Sequence, residues 1–169
     1  TDATGALSLG NTRKGVRILD SAHSNLIGGS GAGNLIVNNA EQGVQVDSNA
    51  GNGNAIVANS IYNNAALGID LEGDGITAND VGDADSGPNS LQNFPVLAGA
   101  FTDASSTVAI SGSLNTVANS SFRIDFFSNS GGGVQGETHL GFRNVITDTS
   151  GDASFVCLLY TSPSPRDDL

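Results

Sequence analysis

Residues 34–46 read NLIVNNAEQGVQV, and residues 59–71 read NSIYNNAALGIDL; the second stretch aligns with the first without gaps, 25 positions later. Both copies place two consecutive asparagines and a glycine between short apolar segments. A looser copy begins with GVRI at 15–18, and a further short unit precedes each full copy, NLI at 25–27 and NAI at 54–56. Each period therefore contains three short apolar segments separated by asparagine and glycine.

This period predicts a solenoid of very short β-strands. Segments of two to four residues are too short for helices or for the strands of a sandwich. A period of about 25 residues with three segments is typical of one turn of a parallel β-helix. Because successive turns rise by one strand spacing, about 4.8 Å, we expect Ile36 to stack on Ile61 and Val44 on Ile69. We expect the corner asparagines to adopt the left-handed conformation and to bond to their stacked equivalents.

Composition narrows the class of protein. With 23 glycines, 38% hydrophobic and only 14% charged residues, the chain is expected to be folded and rich in turns. A net charge of −11 argues against nucleic acid or an anionic membrane as partner, and suits divalent cations or an extracellular setting. No apolar run reaches the ~18 residues of a membrane span. The chain opens on Thr1 with no signal-like segment, so we expect it to start inside a longer protein.

The pattern changes after residue 72. A polar stretch at 73–93 is followed by longer segments that alternate apolar and polar residues, which predicts antiparallel strands with one buried face. In SFRIDFFS we expect Phe122, Ile124 and Phe126 to share the buried face. The last segment begins a strand that we expect to be cut off after Val156. The segments are 94–102, 107–114, 121–128, 138–148 and 151–156.

The C-terminal residues differ from the rest of the chain. CLLYTSPSPRD, at 157–167, contains two of the four prolines and ends the asparagine and glycine rhythm. It resembles the translation of an adapter used to prepare sequencing libraries. We therefore predict that 157–169 is a non-native tail and exclude it from the fold; a natural proline-rich linker is the alternative.

Several stretches resemble a known group of proteins. TDATG near the start, NLIGGSGAGNLI from residue 25 and the long segment LGIDLEGDGITANDVGDADSGPNSLQNFPVL are similar to right-handed parallel β-helix repeat proteins of bacterial exported or surface type, often followed by an Ig-like module. The resemblance implies an all-β chain: a right-handed parallel β-helix at 1–72, a connecting loop at 73–93 and a partial antiparallel Ig-like β-sandwich at 94–156. It also implies a secreted or cell-surface location and a polysaccharide or cell-surface glycan as partner. It does not imply one activity.

The connecting loop is the first candidate site. It offers several carboxylate and amide oxygens within a short span, and DADSG at 83–87 places two carboxylates before a glycine. Calcium prefers six to eight such oxygens in a flexible arrangement. We predict a calcium site with a structural role, although the full EF-hand pattern is absent; an acidic linker without metal is the alternative. The candidate ligands are Asp74, Asn79, Asp80, Asp83, Asp85 and Asn89.

The outward face of the recurring GVxV strand is the second candidate site. We expect two outward columns, one of Arg17, Gln45 and Asp70 and one of Leu19, Asp47 and Glu72. The carboxylates Asp47, Asp70 and Glu72 would then lie within several ångströms of each other, and a glycosidase needs a pair about 5–9 Å apart. Solvated side chains without a role are the plain alternative.

Three classes of function stay open on these observations. The sequence favours a non-catalytic structural, adhesive or carbohydrate-binding section of a large secreted or cell-surface bacterial protein. The first alternative is a polysaccharide lyase or glycoside hydrolase that uses the outward carboxylates. The second is an adhesion module stabilised by calcium.

Overall fold

The protein is all-β in the residues that the structure describes. This computed structural model describes residues 9–102, 107–130 and 133–160. Within these ranges the chain forms twelve β-strands and one short 3-10 segment, Pro88–Leu91. Asn89 and Ser90 in that segment have φ of 52° and 55°, so it is a left-handed turn rather than the start of a helix.

The first seven strands are short and pair in parallel. Three small sheets have the orders β1-β4-β7, β2-β5 and β3-β6, so the chain visits the three sheets in rotation. We call these seven strands the parallel stack, with its upper end at β1 and its lower end at β7. The strands are β1 (Val16–Ile18), β2 (Leu26–Gly28), β3 (Leu35–Val37), β4 (Val44–Asp47), β5 (Ala55–Val57), β6 (Ser60–Tyr62) and β7 (Ile69–Glu72).

The register of the parallel stack confirms the alignment of the repeats. Ile36 pairs with Ile61, and Val44 pairs with Ile69, although Ile69 is 44% exposed and not inside the stack as expected. Ile36, Val44 and Ile61 are buried and form a small core, which Val16, Ile27 and Ile56 flank. Identical positions of the repeat therefore lie one above another, because each copy returns to the same sheet one strand further along.

The corner asparagines have two roles, the left-handed conformation and the hydrogen bond along the stack. We expect both roles of each asparagine, but in the NN pairs the structure gives them to different residues. Asn38 and Asn63 adopt the left-handed conformation, with φ of 59° and 52°. The asparagines that follow them, Asn39 and Asn64, do not, and their buried amides bond along the stack instead. The expectation that each corner asparagine is left-handed was therefore wrong for the second residue of each pair. One residue turns the chain, and the next links the layers.

The last five strands form the antiparallel half. A three-stranded sheet of order β12-β9-β8 and a two-stranded sheet of β10 and β11 enclose a second core, which includes Ile110, Ile124, Phe126, Val145 and Phe155. The predicted antiparallel strands are confirmed. Ile124 and Phe126 lie on the buried face, and Phe122 is partly buried against the same core. The expected buried face is absent from the strand at 96–102, because six of its seven residues are exposed. The strands are β8 (Val96–Thr102), β9 (Thr107–Asn115), β10 (Ser121–Ser128), β11 (Thr138–Ile146) and β12 (Asp152–Tyr160).

The last strand runs further than the sequence suggested. Cys157 and Leu159 are 6% and 8% exposed, and they pair with Ile110 and Val108 of β9. The expectations that this strand stops after Val156 and that residues 157–160 stand outside the fold were wrong, because these residues pair with β9 and the side chains of Cys157 and Leu159 complete the core. Residues 161–169 lie outside the described ranges, and the origin of the tail stays a prediction.

Candidate metal centre

One buried asparagine organises the loop at 73–93, which we call the junction loop. The side chain of Asn93 is 5% exposed. Its Nδ2 donates to the carbonyl oxygens of Asp80 at 2.7 Å and Asn115 at 2.9 Å, and its Oδ1 accepts from the backbone N–H of Asp80 at 3.0 Å. The amide therefore holds the loop closed on itself and ties it to the end of β9.

Three carboxylates converge inside this loop. One oxygen from each of Asp80, Asp83 and Asp85 lies within 4.8 Å of the other two. Asp83 is buried, and its Oδ1 accepts from the backbone N–H of Asn93 at 2.8 Å while its Oδ2 accepts from Thr116 Oγ1 at 3.0 Å. The position of Asp83 is thus fixed from both sides of the junction.

Two oxygens of this cluster have no hydrogen-bond donor. Asp80 Oδ2 accepts from the backbone N–H groups of Ala84 at 3.0 Å and Asp85 at 3.1 Å. Asp80 Oδ1 and Asp85 Oδ1 are buried and lack any partner. Burial raises the pKa of Asp85, and the negative charges of Asp80 and Asp83 raise it further. Two buried carboxylate oxygens of the cluster therefore have neither a hydrogen-bond donor nor a cation beside them among the hydrogen bonds and ion pairs of the described residues.

A calcium ion fits these groups. Carboxylate oxygens are the hard ligands that calcium prefers, and a buried acceptor without a donor is costly. Asp80, Asp83 and Asp85 would hold the ion, and backbone oxygens or water would complete its six to eight ligands. The ion would supply positive charge that offsets the repulsion among three neighbouring carboxylates.

The other predicted ligands have different roles or positions. Asn79 pairs with the backbone of Phe94, donating to its oxygen at 2.8 Å and accepting from its N–H at 2.9 Å. Asn89 pairs in the same way with the backbone of Asn54, at 2.7 and 2.9 Å. Asp74 is exposed and outside the cluster. The structure therefore brings together three of the six predicted ligands.

The candidate catalytic carboxylates occupy the predicted register but a different environment. Gln45 pairs with Asp70, and Asp47 pairs with Glu72. Gln45, Asp47 and Asp70 are buried, whereas we had expected an outward, solvated face. The junction loop contacts two of them: a Cβ on Gly73 would lie only 2.2 Å from Gln45 Nε2, and the N–H of Gly75 donates to Asp70 Oδ1 at 3.4 Å.

Hydrogen bonds within the chain hold two of these carboxylates, Asp47 and Asp70. Arg17 Nε donates to both oxygens of Asp47 at 3.0 Å, and this guanidinium holds the pKa of Asp47 below its usual range. Gln42 Nε2 donates to Asp70 Oδ2 at 2.9 Å. The arrangement can fix neighbouring coils to each other, where one coil is one passage of the chain through the three parallel sheets.

Sequence reasoning missed the two residues that fix the cluster. Asn93 stands three residues before the first residue of β8, and Thr116 directly follows β9. Thr116 is 0% exposed, yet nothing in its local pattern sets it apart from other threonines. A lone asparagine between a polar loop and a strand was the one available signal for Asn93.

The sequence was compared with protein-family models and with curated proteins. No protein-family model matches the chain, and no curated protein is significantly similar to it. In residues 9–102, 107–130 and 133–160, no helix has the length and apolar character needed to cross a membrane.

Proposed function

We propose that the chain is a non-catalytic structural section of an exported protein, in which a right-handed parallel β-helix continues into an Ig-like β-sandwich. Calcium bound at Asp80, Asp83 and Asp85 would brace the junction. The parallel stack supports the first half of this proposal, since its three sheets are visited in rotation. The two packed antiparallel sheets support the second.

The asparagine columns carry the structural role. Asn39 donates its backbone N–H and its Nδ2 to Asn64 Oδ1, at 3.1 and 2.8 Å. Asn34 does the same to Asn59, at 2.9 Å for both bonds. Asn39, Asn59 and Asn64 are buried and Asn34 is exposed, and all four hold one coil on the next, which is what a rigid spacer requires.

The environment of the predicted catalytic residues also favours a non-catalytic role. A glycosidase needs one carboxyl whose pKa is raised, so that it can act as an acid, beside a second carboxylate. The ion pair with Arg17 instead lowers the pKa of Asp47. Asp70 is 2% exposed, so a polysaccharide would have to displace the junction loop to reach it.

The calcium brace is supported by the bare oxygens Asp80 Oδ1 and Asp85 Oδ1. No side chain cation approaches them among the hydrogen bonds and ion pairs of the described residues. A divalent cation is the simplest group that satisfies two buried anionic oxygens at once. An extracellular location, where calcium is abundant, belongs to the same proposal, and the acidic composition supports it.

A glycan partner completes the proposal with the least support. It depends on the resemblance to exported β-helix proteins, and adhesion to a polysaccharide would use the outer surface of the stack rather than the buried carboxylates. Incubation with a panel of polysaccharides tests the non-catalytic assignment. We expect no cleavage products; cleavage that disappears in Asp70→Asn would overturn the non-catalytic assignment.

Thermal unfolding with calcium or with chelator tests the brace. At a calcium concentration 100 times the Kd, mass action stabilises by about 2.7 kcal/mol, which corresponds to a rise in Tm of roughly 5–10 °C for a chain of this size. Asp80→Asn should remove most of this rise. Asp74→Asn, which changes an exposed aspartate of the same loop outside the cluster, is the matched control and should keep it. An identical Tm in calcium and in chelator would contradict the brace.

A further inference from the structure

The lower end of the parallel stack poses a hydrogen-bonding problem. In the described residues, β5, β6 and β7 are the last strands of their sheets on that side. Backbone groups and corner asparagines there have no further coil to bond to, although unpaired buried polar groups are costly. An open strand edge is also a template for pairing with another chain.

At one corner a glutamine from the antiparallel half takes the place of the missing asparagine. Asn64 donates its backbone N–H and its Nδ2 to Gln135 Oε1, both at 3.2 Å. Asn39 makes the same pair of bonds to Asn64 one coil higher. Gln135 lies 71 residues along the chain from Asn64, between β10 and β11, so no continuation of the repeat supplies it.

Gln135 also satisfies the carbonyl groups of this corner. Its Nε2 donates to the backbone oxygens of Asn64 at 2.8 Å and Ala66 at 2.6 Å. Its neighbour Gly136 accepts from the backbone N–H of Ile61, in β6, at 2.7 Å. The loop that carries both residues therefore bonds to the lower end of the stack as the next coil would.

A second corner has a similar substitute. Asn25 donates its backbone N–H and its Nδ2 to Asn54 Oδ1, at 3.2 and 2.8 Å. Asn54 in turn donates its backbone N–H to Asn89 Oδ1 at 2.9 Å. Asn89 belongs to the left-handed turn of the junction loop, not to a strand of the stack.

We infer that Gln135 and Asn89 terminate the parallel stack: each stands in for the asparagine of a further coil, and together they join its lower end to the antiparallel half. The inference is independent of the calcium brace at the first corner, because Gln135 and Gly136 lie outside the junction loop and touch none of its carboxylates.

Amide hydrogen exchange, followed by NMR on the full chain with and without calcium, tests the inference. Gln135→Leu keeps a side chain of similar volume that makes no hydrogen bonds. In this variant we expect exchange at the amides of Asn64 and Ile61 to quicken on the order of tenfold or more. Amides paired between β9 and β12 should keep their protection. Val134→Ala is the matched control, since that neighbouring side chain is 95% exposed and should change nothing.

Two results would overturn the inference. Exchange at Asn64 and Ile61 that stays within about twofold of the wild type in Gln135→Leu means that the glutamine does not hold the corner. If that variant does not fold, the wild type decides: a terminated stack protects the amides of Asn64 and Ile61 as well as that of Asn39, and exchange at the rate of exposed loops refutes termination. The Gln135→Leu effect is expected in calcium and in chelator alike, so failure of the brace is recognised separately.

Discussion

Asparagine suits the columns of the parallel stack because its amide carries both a donor and an acceptor. Asn59 is 2% exposed; its Oδ1 accepts two hydrogen bonds from Asn34, and its Nδ2 donates to the oxygen of Ile27 at 2.9 Å. Aspartate would lack the donor and serine the reach. The column thus buries polar groups without leaving any of these three bonds unmade.

The first prediction concerns this column. Asn59→Ala leaves two donors and one acceptor without partners, and we expect it to lower the free energy of unfolding by about 3 kcal/mol. Asn63→Gly is the control, because Asn63 is exposed with φ of 52° and glycine adopts that conformation freely, so a change below about 0.5 kcal/mol is expected. Urea unfolding measures the free energy of unfolding of both variants. A loss in Asn59→Ala no larger than the small one expected for Asn63→Gly would show that the column adds no stability.

The second prediction is that Asp85→Asn shifts the Tm in opposite directions in chelator and in calcium. In protein without metal, the raised pKa of Asp85 means that stability falls as pH rises from the unfolded value of about 3.9 through the folded value. At pH 7, Asp85→Asn should therefore raise the Tm in chelator. In saturating calcium the same substitution removes a ligand, so it should lower the Tm. Calorimetry in the two buffers decides, and a shift of the same direction in both would contradict a metal at this site.

The residues of the candidate metal cluster were only partly predictable from sequence, for a physical reason. Asp80, Asp83 and Asp85 were recognisable as hard oxygens close together in the chain. Asn79 and Asn89 offer the same kind of oxygen, yet each pairs with a distant backbone. An amide oxygen can bind a cation or an N–H equally well, so the choice depends on which segment lies opposite it.

At the scale of the strands, the sequence predicted which residues pair better than it predicted where a strand ends. A period that returns each residue to the same sheet specifies which residues stack, and the pairs of Ile36 with Ile61 and of Val44 with Ile69 followed. The end of β12 was predicted wrongly because residues 157–167 resemble an adapter, and the alternation of buried and exposed residues in β12 was not followed past Val156. The alternation of the buried residues Ala153 and Phe155 continues, in fact, through Cys157 and Leu159.

The third prediction compares adjacent leucines in β12. Leu159 is 8% exposed within the core of the antiparallel half, whereas Leu158 is 57% exposed on the opposite face. Leu159→Ala should lower the free energy of unfolding by about 2–4 kcal/mol through the cavity it leaves, and Leu158→Ala by less than about 0.5 kcal/mol. Chemical denaturation of the two variants gives the comparison. Similar small effects would place the end of β12 outside the core.

At the scale of the whole molecule, three sets of hydrogen bonds join the two halves: from the junction loop to the antiparallel half, from the junction loop to the stack, and from Gln135 to the stack. The junction loop bonds to the antiparallel half through Gly82, whose N–H donates to Asn115 Oδ1 at 2.8 Å, and through Asp83. It bonds to the stack through Asn89, and Gln135 adds a link of its own. No periodic pattern indicates such contacts, since each joins segments far apart in the chain. The sequence therefore predicted a connecting loop with a calcium site, but none of these hydrogen bonds.

The fourth prediction follows from this arrangement. Since the carboxylate cluster lies in the loop that bonds to both halves, calcium should make the halves unfold together. NMR signals of Ile36 in the stack and Ile124 in the antiparallel half report each core separately during heating. In calcium we expect a single midpoint for both signals. In chelator, repulsion among Asp80, Asp83 and Asp85 loosens the loop, and the midpoints should separate. Asp74→Asn should behave as the wild type. Midpoints that coincide in both buffers, or differ in both, would mean that the metal does not couple the halves.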